Sequence, residues 1–173
     1  MEKKWTIADS RDLYLVGHWG SPFFDINAKG HMAVTPKSEA GPSLDIHNLV
    51  EDLRRRGLQP PLLIRFNDVL AERVRYLADA FNTSIKTYDF QGSYRSLMPI
   101  KVNQQRHVVE EMVELEGDYR LGLEAGSKPE LLIATALLSH RQNEFIVCNG
   151  YKDREYIHAA LDAQRLGAQP FIV

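Results

Sequence analysis

The sequence predicts an α/β fold in which helices alternate with the strands of a parallel sheet. Short apolar runs recur along residues 41–173, and amphipathic stretches with helical spacing lie between them. From the second run onward this unit repeats at near-equal intervals. Such alternation is typical of parallel strands joined by right-handed crossovers. By itself it does not distinguish an open doubly wound sheet from a (β/α)8 barrel.

The first 40 residues have a different pattern and predict a separate β segment. Residues 23–26 and 31–34 are short runs suited to strands, and the sequence between them, residues 27–30 (NAKG), has the composition of a hairpin turn. We therefore expect an N-terminal β segment over residues 1–40 and the alternating region over residues 41–173.

The alternating region begins with a predicted helix. Ser43 is suited to cap this helix and Gly57 to end it. Its apolar face consists of Ile46, Leu49, Val50 and Leu53. Five strands are predicted to follow, at residues 61–66, 96–102, 119–125, 144–148 and 170–173.

The later helices have recognisable start signals. Ser127 and Glu130 have the spacing of a capping box, and Pro129 lies in the first turn, where its missing N–H does no harm. Asp153 is suited to begin the last helix and Gly167 to end it. These signals support the alternating pattern.

Composition excludes several classes of function. The 173 residues are 44% hydrophobic and 25% charged with a net charge of −2, whereas nucleic-acid binders usually carry a basic stripe. The sequence has no apolar run long enough for a transmembrane helix and no apolar signal core near its start. Its single cysteine excludes an internal disulfide framework. We expect a cytoplasmic protein.

Lys101 is the most informative candidate residue. It lies at the end of the predicted strand 96–102. Because strand residues alternate between faces, its side chain should point to the face opposite that of Met98, Ile100 and Val102. Most such lysines extend from a strand end into solvent. A buried lysine, however, has a lowered pKa, and an amine of this kind is what Schiff-base chemistry uses.

Three sequence blocks resemble one enzyme family. They are residues 99–105 (PIKVNQQ), 122–131 (GLEAGSKPEL) and 148–153 (CNGYKD). Together and in this order they are similar to the biosynthetic arginine decarboxylases. These are pyridoxal-phosphate enzymes related to ornithine and diaminopimelate decarboxylases and to alanine racemase. One departure is Met98, where related enzymes commonly have an aromatic residue.

The resemblance implies a fold and a place within a longer chain. It favours a partial (β/α)8, TIM-like barrel of the alanine racemase type over residues 41–173. Residues 1–40 would then belong to a separate β domain that is completed further along the chain. A full barrel needs about 250 residues, and the sequence ends within an apolar strand. We therefore expect an N-terminal fragment that is inactive alone.

The resemblance also implies a reaction and its residues. Lys101 would form the imine with pyridoxal 5′-phosphate, and Glu124, on the next strand, would lie beside the cofactor. The full-length enzyme would convert L-arginine to agmatine and CO₂ for polyamine (spermidine) biosynthesis. It would use Mg²⁺ as a further cofactor and assemble as a dimer-based homo-oligomer, a tetramer. Alternatives are a decarboxylase of ornithine, lysine or diaminopimelate, and a non-catalytic regulatory relative.

Other reactive residues are interpreted as structural. Cys148 follows an apolar run and is expected to be buried, and Asn103 is expected to cap the next helix. The six histidines show no metal-ligand spacing. By the resemblance, the phosphate-binding glycines and the acid that faces the pyridine nitrogen lie later in the chain.

Overall fold

The computed structural model describes residues 4–36 and 41–173. The chain divides into two compact units, Met1–Glu72 and Arg73–Val173. These units are defined by contacts within this chain. The expected boundary near residue 40 depends on strands from elsewhere in a longer protein, so it stays a prediction.

The first unit contains a small antiparallel sheet with strand order β1-β2-β3. The strands pair in register, with Asp25 opposite Ala33 and Ala33 opposite Asp45. The elements that lie wholly in this unit are α1 (Ile7–Leu13), α2 (Val16–Trp19), β1 (Phe24–Ile26), β2 (Met32–Val34), β3 (Leu44–Asp45) and α3 (Ile46–Arg55).

The predicted hairpin is present between β1 and β2. The side chain of Asn27 accepts hydrogen bonds from the backbone N–H groups of Lys29 and His31, which closes the turn. Gly30 has a φ of +81°, a left-handed conformation that glycine adopts without steric cost. The predicted turn over residues 27–30 is therefore confirmed.

Helix α3 is capped by Asp45 and not by Ser43 as predicted. The Asp45 carboxylate accepts the backbone N–H of Asn48 at 3.0 Å and the side-chain N–H of Asn27 at 2.9 Å, and it contacts His31 Nδ1 at 2.9 Å. The Asn48 N–H, followed by His31 and Asn27, lowers the pKa of Asp45 to about 2. Because Asp45 both caps the helix and holds the hairpin, α3 begins two residues later than a cap at Ser43 would predict.

Residues 61–66 do not form the predicted strand. They lie between α3 and α4 (Asn67–Thr87) without strand pairing. An apolar run becomes a strand only when a neighbour accepts and donates its backbone hydrogen bonds, and Pro60 and Pro61 have no N–H to donate. The prediction from the apolar run was therefore wrong within this chain.

The second unit is a four-stranded parallel sheet in the consecutive order β4-β5-β6-β7. Besides residues 73–87 of α4, its strands and α-helices are β4 (Ser96–Pro99), α5 (Arg106–Val113), β5 (Leu121–Ala125), α6 (Lys128–Leu138), β6 (Phe145–Cys148), α7 (Arg154–Arg165) and β7 (Gln169–Ile172). Four of the five predicted strands are thus confirmed. The strand predicted over 96–102 is shorter, because a 3-10 turn, Ile100–Val102, replaces its last three residues.

The helices cover one face of this sheet. On β6, Ile146 and Cys148 are completely buried, whereas Phe145 and Val147, on the opposite face, are partly exposed. On β4, Met98 is buried and its neighbour Leu97 is 44% exposed. The helix-covered face is therefore the core of this unit, and the other face presents apolar side chains without helices over them.

An ion cluster fixes the start of β6. Glu144 is buried, and its carboxylate accepts hydrogen bonds from Arg120 at 2.8 Å and from Arg141 at 3.3 Å. Arg120 also donates to the carbonyl of Gln142. The cluster ties the segment before β5 to the loop before β6, at the edge of the sheet opposite the carboxyl ends of the strands.

Both units lack a membrane-spanning helix within their described residues, since no helix there combines sufficient length with sufficient apolar character.

Candidate active site at the carboxyl edge of the parallel sheet

Lys101 lies where β4 ends at the carboxyl edge of the sheet. The strand stops at Pro99, and the following 3-10 turn is anchored by Ile100, which is completely buried. Lys101 is exposed on this turn. The predicted strand position of Lys101 is therefore wrong, because the turn and not strand alternation directs its side chain. Its amine is accessible at the edge where active sites of such sheets lie.

Glu124 is buried near the end of the neighbouring strand, β5. It is only 9% exposed, and it pairs in register with Pro99 on β4 and Val147 on β6. Its Oε2 atom is buried and has no hydrogen-bond partner within the described residues. A buried carboxylate oxygen without a donor costs free energy, so this position favours a cation or an N–H group beside it.

The structure brings Lys101 and Glu124 to one edge of adjacent strands. Pro99 is directly opposite Glu124, and the 3-10 turn that carries Lys101 contacts both β5 and α6. Adjacent strands lie about 4.8 Å apart. An accessible amine and a buried carboxylate oxygen without a donor among the described residues thus lie at the same carboxyl edge, at the ends of adjacent strands.

The loop after Glu124 is held by the next β-α unit. The carbonyl oxygen of Ala125 accepts hydrogen bonds from the Tyr156 hydroxyl at 2.7 Å and from the Asn149 backbone N–H at 2.9 Å. The N–H of Gly126 donates to Glu130 Oε2 at 2.7 Å. The sequence did not identify Tyr156, since it reads as one apolar position on the predicted last helix.

Only half of the predicted capping box is formed at α6. The Ser127 hydroxyl accepts the N–H of Glu130, as predicted. The Glu130 carboxylate, however, accepts the N–H of Gly126 and not that of Ser127. Glu130 therefore stabilises the loop after β5 as well as the helix start.

A salt bridge joins the starts of α6 and α7. Lys128 Nζ lies 2.6 Å from Asp153 Oδ2 and 3.7 Å from Glu155 Oε2. The other oxygen of Asp153 accepts the N–H of Tyr156 and so caps α7, as predicted. Hydrogen bonding to Asp153 raises the pKa of Lys128, and hydrogen bonding to Lys128 lowers that of Asp153.

Cys148 and Asn103 have structural positions. Cys148 is completely buried, as expected, and burial raises the pKa of its thiol. Asn103 does not cap α5: its side chain accepts the N–H of Gln105 in a turn before the helix, and Gln105 occupies the cap position. Neither residue adds a reactive group to the edge.

Comparison with known proteins identifies relatives over nearly the whole chain. No family model matches. The chain is 54% identical to the biosynthetic arginine decarboxylase of Gloeobacter violaceus over 169 residues, which cover 98% of this chain and 26% of that protein. It is 49% identical over its full length to the enzyme of the same name from Nostoc, of which it covers 25%. The chain thus spans about a quarter of the length of these relatives.

A solved structure agrees with the sequence matches. The crystal structure of the biosynthetic arginine decarboxylase of Campylobacter jejuni superposes with a TM-score of 0.80 at 34% identity, over 91% of this chain and 26% of that one. The similarity therefore extends from the sequence to the arrangement of the helices and strands.

Proposed function

We propose that this chain is the part of an arginine decarboxylase that attaches the cofactor, with Lys101 as the attachment residue. The longer protein would convert L-arginine to agmatine and CO₂ using pyridoxal 5′-phosphate. The observation that carries the proposal is the position of Lys101 and Glu124 at the ends of adjacent strands, on the carboxyl edge of the sheet. The similarity to arginine decarboxylases over 98% of the chain supports arginine as the substrate.

The proposal includes closure of the sheet into a (β/α)8 barrel. In a doubly wound sheet the strand order reverses and helices cover both faces. Here the four strands follow one another in chain order, and buried side chains alternate with partly exposed ones on β4 and β6. One-sided coverage is what a barrel wall requires, because the other face becomes the interior when further strands complete it. The remaining strands would come from the rest of the longer protein.

Lys101 and Glu124 fit the needs of the cofactor. Attachment requires an amine that the aldehyde can reach, and Lys101 is exposed at the carboxyl edge. A bound cofactor and an amino-acid substrate bring N–H groups and positive charge, which would provide the donor that Glu124 Oε2 lacks. No phosphate-binding group is assigned in this chain.

The roles of the two residues follow from their chemistry. When bound, pyridoxal phosphate supplies an electron sink for the negative charge that remains after CO₂ leaves. Lys101 Nζ would hold the cofactor, and the same amine, when free, would carry a proton at the carboxyl edge. The Glu124 carboxylate accepts a hydrogen bond from a cationic N–H and favours the protonated state of that group.

The resemblance to the arginine decarboxylase family supports two further proposals, on oligomeric state and location. We propose a dimer-based homo-oligomer, a tetramer, and a cytoplasmic location for the longer protein. Magnesium is a different case: the described residues contain no group of three or more histidine, cysteine, aspartate or glutamate side chains able to hold a metal ion.

The test measures CO₂ release by the longer protein with pyridoxal phosphate and L-arginine, L-ornithine, L-lysine or diaminopimelate. We expect turnover with arginine and much lower rates with the other three. Lys101→Ala should abolish turnover, whereas Lys29→Ala, at the tip of the hairpin, should retain it. Preference for another amino acid would contradict the assigned substrate, and normal turnover by Lys101→Ala would contradict the assigned attachment site.

A further inference from the structure

The peptide bond between Ala125 and Gly126 is held at both of its polar atoms. Its carbonyl accepts the Tyr156 hydroxyl at 2.7 Å and the Asn149 N–H at 2.9 Å, and its N–H donates to Glu130 at 2.7 Å. Most backbone groups in loops make a single hydrogen bond or contact water. A peptide unit with three partners from two helices and one loop has little freedom to rotate.

Tyr156 is the least replaceable of these partners. It is 1% exposed, so its hydroxyl cannot exchange Ala125 for water without opening the core. Burial, followed by the neighbouring Cys148, raises the pKa of Tyr156, and the hydroxyl remains protonated as a donor. Its own backbone N–H is fixed by Asp153, the cap of α7. The donor is therefore rigid relative to the sheet.

Glu124 precedes this peptide directly and depends on it for position. The Glu124 Oε2 atom has no hydrogen-bond partner within the described residues. No hydrogen bond from those residues holds this oxygen in place, so the position of the side chain depends on the backbone of β5, which ends at the Ala125–Gly126 peptide. A small rotation of this peptide would displace the carboxylate at the carboxyl edge.

We propose that Tyr156 is a positioning residue for Glu124, acting through the Ala125–Gly126 peptide. The inference rests on the proposed function, because it assumes that Glu124 lies beside the cofactor. Tyr156 itself is on the helix-covered face, since it contacts Cys148 there, and has no route to the cofactor. Its effect on the reaction must therefore pass through Glu124.

Tyr156→Phe is a suitable variant because it removes only the hydroxyl. The ring continues to fill the core, and the Ala125 carbonyl keeps the Asn149 N–H as a donor. We expect the protein to fold. Tyr88→Phe is the matched control, since it removes the same group from an exposed tyrosine beyond the end of α4.

The experiment is a double-mutant cycle in the longer protein with Glu124→Gln. Affinity for pyridoxal phosphate is measured from its visible absorbance, and kcat is expressed per cofactor-loaded site. Loss of a charge-assisted hydrogen bond predicts about tenfold weaker cofactor binding in Glu124→Gln. Tyr156→Phe removes a neutral hydrogen bond and affects the cofactor only by misplacing Glu124, so we expect about threefold weaker cofactor binding in this variant. In the Glu124→Gln background, Tyr156→Phe should have no further effect on either quantity.

A second measurement follows the backbone directly. Amide hydrogen exchange in peptides covering residues 121–126 should be faster in Tyr156→Phe than in the wild type and unchanged in Tyr88→Phe. Glu130→Gln weakens the hydrogen bond from the Gly126 N–H. It should also speed amide exchange over residues 121–126, and it should have no further effect on cofactor affinity in the Glu124→Gln background. This variant provides the test if Tyr156→Phe does not accumulate.

Two results would overturn the proposal. The first is an equal loss of cofactor affinity on Tyr156→Phe in both backgrounds, since additive effects mean that Tyr156 does not act through Glu124. The second is unchanged hydrogen exchange over residues 121–126. Failure of the proposed function is a separate outcome, visible in the wild type alone as the absence of cofactor binding and arginine turnover.

Discussion

Substitution of Gly150 by alanine tests the close contact between two loops of the candidate site. Gly150 has a φ of +79°, and an added Cβ would lie well inside van der Waals contact with the Gly126 carbonyl oxygen and 3.1 Å from its carbon. The left-handed conformation costs an alanine about 1 kcal/mol. Overpacking against backbone costs about 1–3 kcal/mol more. We expect a total loss of about 2–4 kcal/mol in the free energy of unfolding.

Gly117→Ala is the matched control in the same unit. Gly117 has a φ of +64°, and an added Cβ meets no atom within 4 Å. This variant should therefore lose only the conformational cost, about 1 kcal/mol. The difference between the two variants isolates the contact between Gly150 and Gly126.

The assay compares thermal unfolding and CO₂ release from arginine in the longer protein. Gly150→Ala should lower the melting temperature more than Gly117→Ala does. It should also lower kcat, since Gly126 follows Glu124 by two residues and must move. Gly117→Ala should keep its kcat. Equal destabilisation by the two substitutions, with kcat unchanged in both, would refute the reasoning.

Three further predictions concern stability and completeness. Asp45 has its pKa lowered to about 2, so its ionised carboxylate stabilises the fold above the usual aspartate pKa of about 4 and this contribution is lost as the pH falls. Asp45→Asn should therefore lower the melting temperature at pH 6, and the difference from the wild type should shrink towards pH 2; a constant difference would contradict the capping role. Glu144→Gln should lower the free energy of unfolding in urea by about 2 kcal/mol, because two guanidinium groups lose a buried anionic partner; no change in the urea midpoint would show that the cluster is dispensable. Residues 1–173 expressed alone should associate on size-exclusion chromatography and release no CO₂ from arginine, because apolar residues such as Leu97 and Phe171, 44% and 49% exposed, lack cover; an active monomer would contradict the need for further strands.

The parallel sheet could be predicted because its pattern is local. Apolar runs at residues 119–125, 144–148 and 170–173 are bounded by helix starts such as Ser127 and Asp153, and strand and helix periods differ enough to be separated. These elements are present within a residue or two of their predicted bounds. The apolar run at residues 61–66 did not predict whether a strand forms there, because strand pairing depends on a neighbouring strand and not on the run itself.

The position of Lys101 shows where periodicity fails. Met98, Ile100 and Val102 recur at every second position as on one face of a strand, yet β4 ends at Pro99. A 3-10 turn buries Ile100 and exposes Lys101. Val102, which the alternation places on the buried face with Ile100, is 66% exposed on the turn. The residue type at the strand end was therefore a better guide to the site than the predicted geometry.

Tyr156 could not have been identified from the sequence as part of the site. Its hydroxyl reaches Ala125, 31 residues earlier in the chain. In the helical pattern it is one more apolar residue, and only the packing of α7 against the end of β5 reveals its hydrogen bond. Long-range polar contacts of this kind carry no local signal.

The most direct test of the account is chemical trapping of the cofactor on the longer protein. Borohydride reduction in the presence of pyridoxal phosphate, followed by peptide mass mapping, should place the pyridoxyl group on Lys101. The role proposed for Lys101 predicts this single site, although Lys128 is also exposed, just after β5. A pyridoxyl group on another lysine, with Lys101 unmodified, would contradict the central claim.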